Sequence, residues 1–432
     1  MLGVTRGAAL YVGALIGPGV LLVPSLAAQS AGPASIVAWA ALLVLSVPLV
    51  VTFGVLGVRH PVAGGVTAYV QEGFGDSAAA VTGSTFLTAG LFGAPAVALI
   101  GGYYVSTLAG GGKTVAVSVA IITITVVLGA NALGLRVSSG FQLALSAILV
   151  GVIAVAIAVA LPSRATHNWT PFAPHGWWAI GTSASILVWL FVGWEAMAQL
   201  AGDFRDPSRD LPRAIGLAFV IVTVLYVGLG VATIAVTAGS GSRVPLADLI
   251  SVGFGRGGRD ATAVLAVALT AGTMNVYIGG MSKLAATLAR AGSLPAWFGG
   301  GAERSVPRRP LLAFYVAYVA MLVGLAAGIG STSVFVRATS ACFVLVYVLS
   351  LASAFRFTDG VVRVCAAVAT VSMVVVGGFS TWYLFVPAGA ALLTLGLRYT
   401  AARHVQGLRN LREEAVVRQQ PVPLDGGDQA PV

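Results

Sequence analysis

Apolar runs long enough to cross a bilayer follow one another along almost the whole chain, separated by short polar turns. A hydrocarbon core takes about 20 such residues per helix. Backbone in lipid must satisfy its own hydrogen bonds, so these runs predict helices. The pattern places spans near 4–30, 33–56, 77–108, 114–131, 139–161, 176–202, 214–238, 259–289, 310–328, 335–354, 361–378 and 380–398. The fold class expected is therefore an all-α integral membrane protein with twelve transmembrane helices, the last two separated by very little. The first run begins almost at Met1 and leads into the rest of the body, which predicts a retained span rather than a cleaved signal. Residues 399–432 read as a polar, basic, disordered tail.

Two of these runs carry helix-breaking chemistry. In GALIGPGVLLVP (13–24) two glycines flank a proline, and in FVGWEAMAQLAGDF (191–204) Gly193 stands beside Trp194 and Glu195. A Gly/Pro kink satisfied by neighbouring helices would account for one such break. The second break, five spans after the first, favours a different reading: two inverted five-helix repeats, each opening with a discontinuous helix. The core would cover 1–354, with repeats at about 4–161 and 176–354, two peripheral helices at 355–398 and the tail after them.

Composition agrees with the pattern. Of 432 residues, 58% are hydrophobic and 9% charged, against about a quarter charged in soluble domains. The formal charge of +10 does not form a stripe able to track a phosphate backbone, so no nucleic acid is expected as a partner. The cations sort by side instead. Lys113, Arg164, Arg243, Arg256, Arg259 and Arg337 fall on one side, and all the other Lys and Arg on the side of the two termini. The positive-inside rule then puts both termini in the cytoplasm. The two cysteines and four histidines show no metal spacing, and no ATP-binding loop occurs, so no cofactor is expected.

The candidate chemistry lies at the breaks. An interrupted helix frees N–H groups at the start of its second half and C=O groups at the end of its first half. These ends carry partial positive and negative charge and can replace water around the carboxylate and ammonium of an amino acid. Pro18 suits the first position of a half-helix, leaving Gly17, Gly19 and Val20 to supply N–H groups. The apolar surroundings of Leu15, Ile16 and Phe191 suit aliphatic or thioether side chains. Glu195 is the only acid deep in any span; such a group is protonated, paired or facing a water-filled cavity, and it is read as the site of proton coupling. Trp189 and Trp194 flank the second break as pocket-lining or packing residues. Asn275 and Tyr277, in TMNVYIGG, put polar groups at mid-membrane and serve either a pocket or helix–helix bonding. The small residues of GLFGAPAVALIGG (90–102) predict close helix packing.

Together these motifs resemble the amino acid–polyamine–organocation superfamily of transporters. GALIGPGVLLVP resembles its first-helix motif, HPVAGGVTAYVQEGFG (60–75) its loop after the second span, WLFVGWEAMAQLAGDFRDPSRDLPRA (189–214) its sixth helix and following loop, and KLAATLARAGSLPAW (283–297) the exit of its eighth. Within the superfamily, the second-break segment and MNVYIGGMSKLA (274–285) are similar to bacterial exporters of methionine and branched-chain amino acids. The resemblance implies a LeuT-like fold, residence in the bacterial plasma membrane and proton-driven efflux of neutral apolar amino acids. It implies carboxylate binding at Gly17, Pro18 and Gly19, amino-group and side-chain lining at Phe191, Gly193 and Trp194, and gating or coupling at Trp189 and Glu195. Pro18 stands where the family has Ser or Thr, so one hydroxyl contact is lost. Uptake or exchange is the alternative direction. An intramembrane enzyme would need a nucleophile–base or metal constellation that the spans lack, and a channel would need a pore-lining ring or filter.

Overall fold

The computed structural model describes residues 2–59, 65–135, 137–162, 166–195, 204–237, 240–300 and 306–418. The structured residues are almost entirely helical. Ten helical stretches among the described residues are long and apolar enough to cross a membrane, which corrects the expected twelve. The shortfall falls on the expected first and sixth spans. The first is split into α1 (Val4–Leu15) and α2 (Val23–Ala31), with a 3-10 turn over Pro18–Leu21 between them. α2 then runs through a short turn into α3 (Ser35–Arg59), and the two form one apolar stretch. In the sixth, a helix of ten residues, Trp178–Leu187, gives way to a 3-10 turn at Val188–Phe191 and then to extended backbone at Val192. Hydropathy follows the apolar side chains and passes over such breaks. A helix needs an unbroken ladder, which the extended backbone at Gly17 and Val192 removes.

Two helices are too long for one crossing. α4 (Val66–Ala109) has 44 residues and the helix Pro245–Arg290 has 46; at about 1.5 Å per residue each would reach about 66 Å or more, twice the hydrocarbon thickness. Each is bent by one glycine in a left-handed conformation, Gly75 (φ 79) and Gly255 (φ 56). That leaves a short arm, 66–74 or 245–254, ahead of a spanning segment. The expected spans began at 77 and 259, after these arms, because Gln71, Glu72 and Asp76, and likewise Arg256 and Arg259, lower the local hydropathy. A broken helix followed later by a kinked arm-and-span occurs in both halves of the chain, the internal signature of the inverted-repeat core.

With α5 (Gly112–Ala132), α6 (Ser139–Ala160) and α7 (Trp178–Leu187), the remaining helices are α8 (Pro207–Thr237), α9 (Pro245–Arg290), α10 (Arg308–Ala326), α11 (Thr332–Phe357), α12 (Gly360–Gly378) and α13 (Phe385–Arg418). α8 starts with Pro207 at a position needing no N–H. The Asp206 carboxylate ahead of it accepts from the Ser208 hydroxyl at 2.7 Å and the Arg209 amide at 3.3 Å; the Ser208 bond first holds this carboxyl below its usual range. α13 continues well past residue 399, and residues 419–432 of the expected tail lie outside those described.

α4 and α11 are the most enclosed spans. Close approach depends on small residues, as the 90–102 stretch suggested: a Cβ on Gly102 would lie 2.1 Å from the Ala116 carbonyl oxygen, and one on Gly101 2.6 Å from Thr270 Oγ1. α12 turns a row of exposed valines outward, including Val361, Val364, Val368 and Val371, as a lipid-facing helix does.

Candidate functional site

The two breaks meet at the centre of the bundle. A Cβ on Gly19 would lie 2.8 Å from Leu190 Cδ2, and one on Gly193 2.9 Å from the Ala14 carbonyl oxygen. Gly193 also adopts φ +130, a region that residues with a Cβ rarely adopt. Gly17 is extended (φ −105, ψ −171) and faces open space.

Between the breaks lies a cavity of about 180 Å³. The first break contributes Ala14, Leu15, Gly17, Pro18 and Gly19, and the second Trp189, Leu190 and Val192. Ala89 and Gly93 of α4, Thr273 and Tyr277 of α9, and Thr339 and Phe343 of α11 complete the wall. No charged side chain lines it among the described residues. The ligand-holding polarity must come from backbone and hydroxyls.

The expected site residues divide accordingly. Leu15, Gly17, Pro18, Gly19 and Trp189 line the cavity. Ile16 and Val20 are buried behind it. Of the three expected amides, Gly17 N–H bonds Leu15 O at 3.2 Å and Val20 N–H bonds Gly17 O at 3.3 Å. Gly19 follows Pro18 in the same turn and lines the cavity. Phe191 is buried with its ring against Trp39 and Tyr226. Trp194 is fully buried against Phe219, with no partner for its indole N–H among the described residues. Asn275 stands outside the cavity. Its Oδ1 accepts from the Val137 amide at 2.9 Å and its Nδ2 donates to Leu135 O at 3.3 Å, so it staples the turn between α5 and α6 to α9.

Glu195 is the acid of the site. One carboxylate oxygen accepts from the Gly193 amide at 2.9 Å and from the Tyr347 hydroxyl at 2.5 Å. The same hydroxyl accepts from Gly193 N–H at 3.2 Å and lies 3.3 Å from Phe191 O. Sequence reasoning passed over Tyr347 of α11, and likewise Tyr226 of α8 and Tyr104 of α4. The Tyr104 hydroxyl donates to Leu21 O at 3.0 Å, just past the first break. The signal was available: a tyrosine at mid-span carries a hydroxyl that must find a partner.

Leu22, just past the Pro18–Leu21 turn, lines a second, more polar cavity of about 290 Å³ together with Gln29, Tyr103, Lys113 and Arg243 among others. α1 is clasped at its start. Arg205 N–H bonds Leu2 O at 3.2 Å, and the Phe204 ring stacks on Tyr11 and abuts Gly7.

A cavity between two discontinuous helices, in a bundle with a repeated architecture, is the arrangement of a secondary carrier. The sequence profile of the amino acid permease family matches residues 2–398. The chain belongs to that family of membrane transporters. It is 33% identical over 390 residues to an uncharacterized amino acid permease, YecA, of Bacillus subtilis (strain 168), covering 89% of this chain and 92% of the relative. It is 29% identical over 403 residues to the L-methionine/branched-chain amino acid exporter YjeH of Escherichia coli (strain K12), covering 91% and 95%. Among solved structures, that of MhsT in complex with L-phenylalanine superposes with a TM-score of 0.54 at 15% identity, covering 91% of this chain and 98% of the other. That likeness concerns the fold.

Proposed function

We propose that this chain is a proton-driven exporter of neutral apolar amino acids, methionine, leucine, isoleucine and valine, working by alternating access with both termini in the cytoplasm. The observation that carries the reading is the cavity itself, with its largely apolar walls and unwound backbone; one carboxyl group, Glu195, is bonded to Gly193 and Tyr347 just past the second break, outside the cavity's lining. The walls favour aliphatic and thioether side chains. Among the described residues no cation or anion lines the cavity, which disfavours charged side chains, whose desolvation would go uncompensated. YjeH, similar along nearly its full length, is by its name an exporter of the same substrates.

In the proposed cycle Glu195 takes a proton in one orientation and gives it up in the other. Its position beside the Gly193 backbone makes its charge felt by the segment that must rearrange. The test uses purified protein in proteoliposomes loaded with labelled methionine or leucine. An imposed pH gradient accelerates flux in the wild type. Glu195→Gln removes that acceleration while leaving counterflow, which needs no gradient. Gradient-driven flux that persists undiminished in Glu195→Gln refutes the coupling role.

A further inference from the structure

Carbonyl ends freed at both breaks converge on one hydroxyl. Tyr226 of α8 is buried, and its hydroxyl oxygen lies 3.0 Å from Leu15 O and 2.7 Å from Leu190 O. Leu15 closes α1, and Leu190 lies in the 3-10 turn that ends the first half of the sixth span. Both carbonyls therefore sit at C-terminal, partially negative helix ends. Leu15 O also accepts from the Gly17 amide at 3.2 Å, but two such ends drawn together away from water still repel unless a donor or a cation stands between them. In carriers built on broken helices, unwound carbonyls and half-helix C-termini are where coupling ions bind. Here the group at that spot is neutral and covalently attached to a neighbouring helix. Its ring is locked edge-on by Trp39 at 5.3 Å and by Phe191 at 5.4 Å. Glycine at position 230 leaves room for Trp39; a Cβ there would stand 3.0 Å from the indole, a tight contact.

We infer that Tyr226 is a positioning residue of the transport cycle: its hydroxyl holds the two half-helix ends together at the point where a carrier of this architecture would otherwise bind a monovalent cation, so turnover needs neither Na+ nor K+ there. The inference rests on the carrier reading above, but not on proton coupling or direction. A single O–H donates to one carbonyl at a time. When α1 departs during alternation, the hydroxyl keeps its shorter bond to Leu190, and no buried carbonyl pair is left facing itself without a donor. The tie can thus be made and released without an ion entering or leaving.

The test is gradient-free counterflow of labelled leucine by the full chain in proteoliposomes, in media whose only monovalent cation is Na+, K+ or choline. The wild type turns over at equal rates in all three. Tyr226→Phe, which keeps the ring and removes the donor, loses about tenfold in maximal rate, the change expected for one lost donor in an apolar site. Leucine binding stays unchanged, because the hydroxyl lies outside the cavity wall. Tyr318→Phe is the control. That residue is as buried, but among the described residues its hydroxyl bonds Gly90 O alone, at 3.5 Å, and the variant keeps the wild-type rate. Wild-type counterflow that requires Na+ or K+ overturns the inference, even if Tyr226→Phe fails to fold. So does a folded Tyr226→Phe with the wild-type rate, or an equal loss in Tyr318→Phe. Ion-independent counterflow and a slow Tyr226→Phe, in a protein whose flux ignores pH gradients, uphold the inference and refute proton coupling alone.

Discussion

Replacing Gly193 by alanine adds one methyl group at the narrowest point between the broken helices. Two costs follow from the geometry. The backbone there has φ +130, a conformation that costs roughly 1–3 kcal/mol for a residue with a Cβ. The new Cβ would also lie 2.9 Å from the Ala14 carbonyl oxygen, and that atom is backbone, so it cannot swing aside. If the chain relaxes to avoid both, the Gly193 amide leaves Glu195 and Tyr347, which it now serves at 2.9 and 3.2 Å. The same substitution at Gly17 is the comparison. Gly17 has an ordinary φ of −105, and a Cβ there meets nothing within 4 Å. Gly193→Ala is expected to lose about 2 kcal/mol, a factor of about thirty in the equilibrium between the native arrangement and its alternatives. Gly17→Ala is expected to fold like the wild type but to crowd the cavity, weakening binding of leucine and methionine more than that of alanine. Thermal unfolding of the detergent-purified protein reads the first effect, and equilibrium binding of the three amino acids reads the second. A Gly193→Ala protein with wild-type melting and binding refutes the geometric argument. So does a Gly17→Ala protein that is destabilised with its selectivity unchanged.

Two further outcomes follow. Tyr347→Phe removes the hydroxyl that donates to Glu195 at 2.5 Å, so gradient-driven flux falls in that variant. The double variant with Glu195→Gln is no slower than Glu195→Gln alone, because both changes break one coupled unit; additive losses in the double-mutant cycle contradict this. Asn275→Ala unsatisfies the Val137 amide and the Leu135 carbonyl and costs about 1–3 kcal/mol of stability. Substrate affinity stays as it was, and an affinity change at unchanged melting temperature shows that Asn275 reaches the ligand after all.

The features that could be read from the chain were those that break a local rule. An apolar run predicts a helix by itself, and Gly17-Pro18-Gly19 in such a run predicts an interruption, because each residue alters the backbone at its own position. That logic reached the first break to the residue and the second through Gly193, whose positive φ is also a property of one position. It could not count the helices: a hydropathy window reports which residues avoid water and is silent on whether a hydrogen-bond ladder runs through them, so two stretches whose breaks were expected were still counted as two full spans. Nor could it find the arms ahead of Gly75 and Gly255, where helix persists through residues too polar to cross a bilayer.

What remained hidden in the site is of another kind. Tyr104, Tyr226 and Tyr347 lie on three helices distant in sequence from the carbonyls they serve; Tyr226 is 211 positions from Leu15. Each is an ordinary aromatic residue in an apolar run until the partner's place is known. The breaks nevertheless demand such residues in advance. A half-helix end in lipid exposes carbonyls that neither water nor a neighbouring turn can satisfy, and unmet buried acceptors are costly. The sequence offers few groups able to meet them: Glu195 is an acceptor when ionised, and lysine or arginine would bring a charge into a wall that has none among the described residues. A hydroxyl on a long rigid ring is the neutral group that can reach across one helix diameter while its body is packed as hydrophobic core. A mid-span tyrosine in a chain with broken helices is therefore to be read first as a carbonyl donor and only then as packing. Tyr11, whose buried hydroxyl has no partner among the described residues, is an exception to that rule.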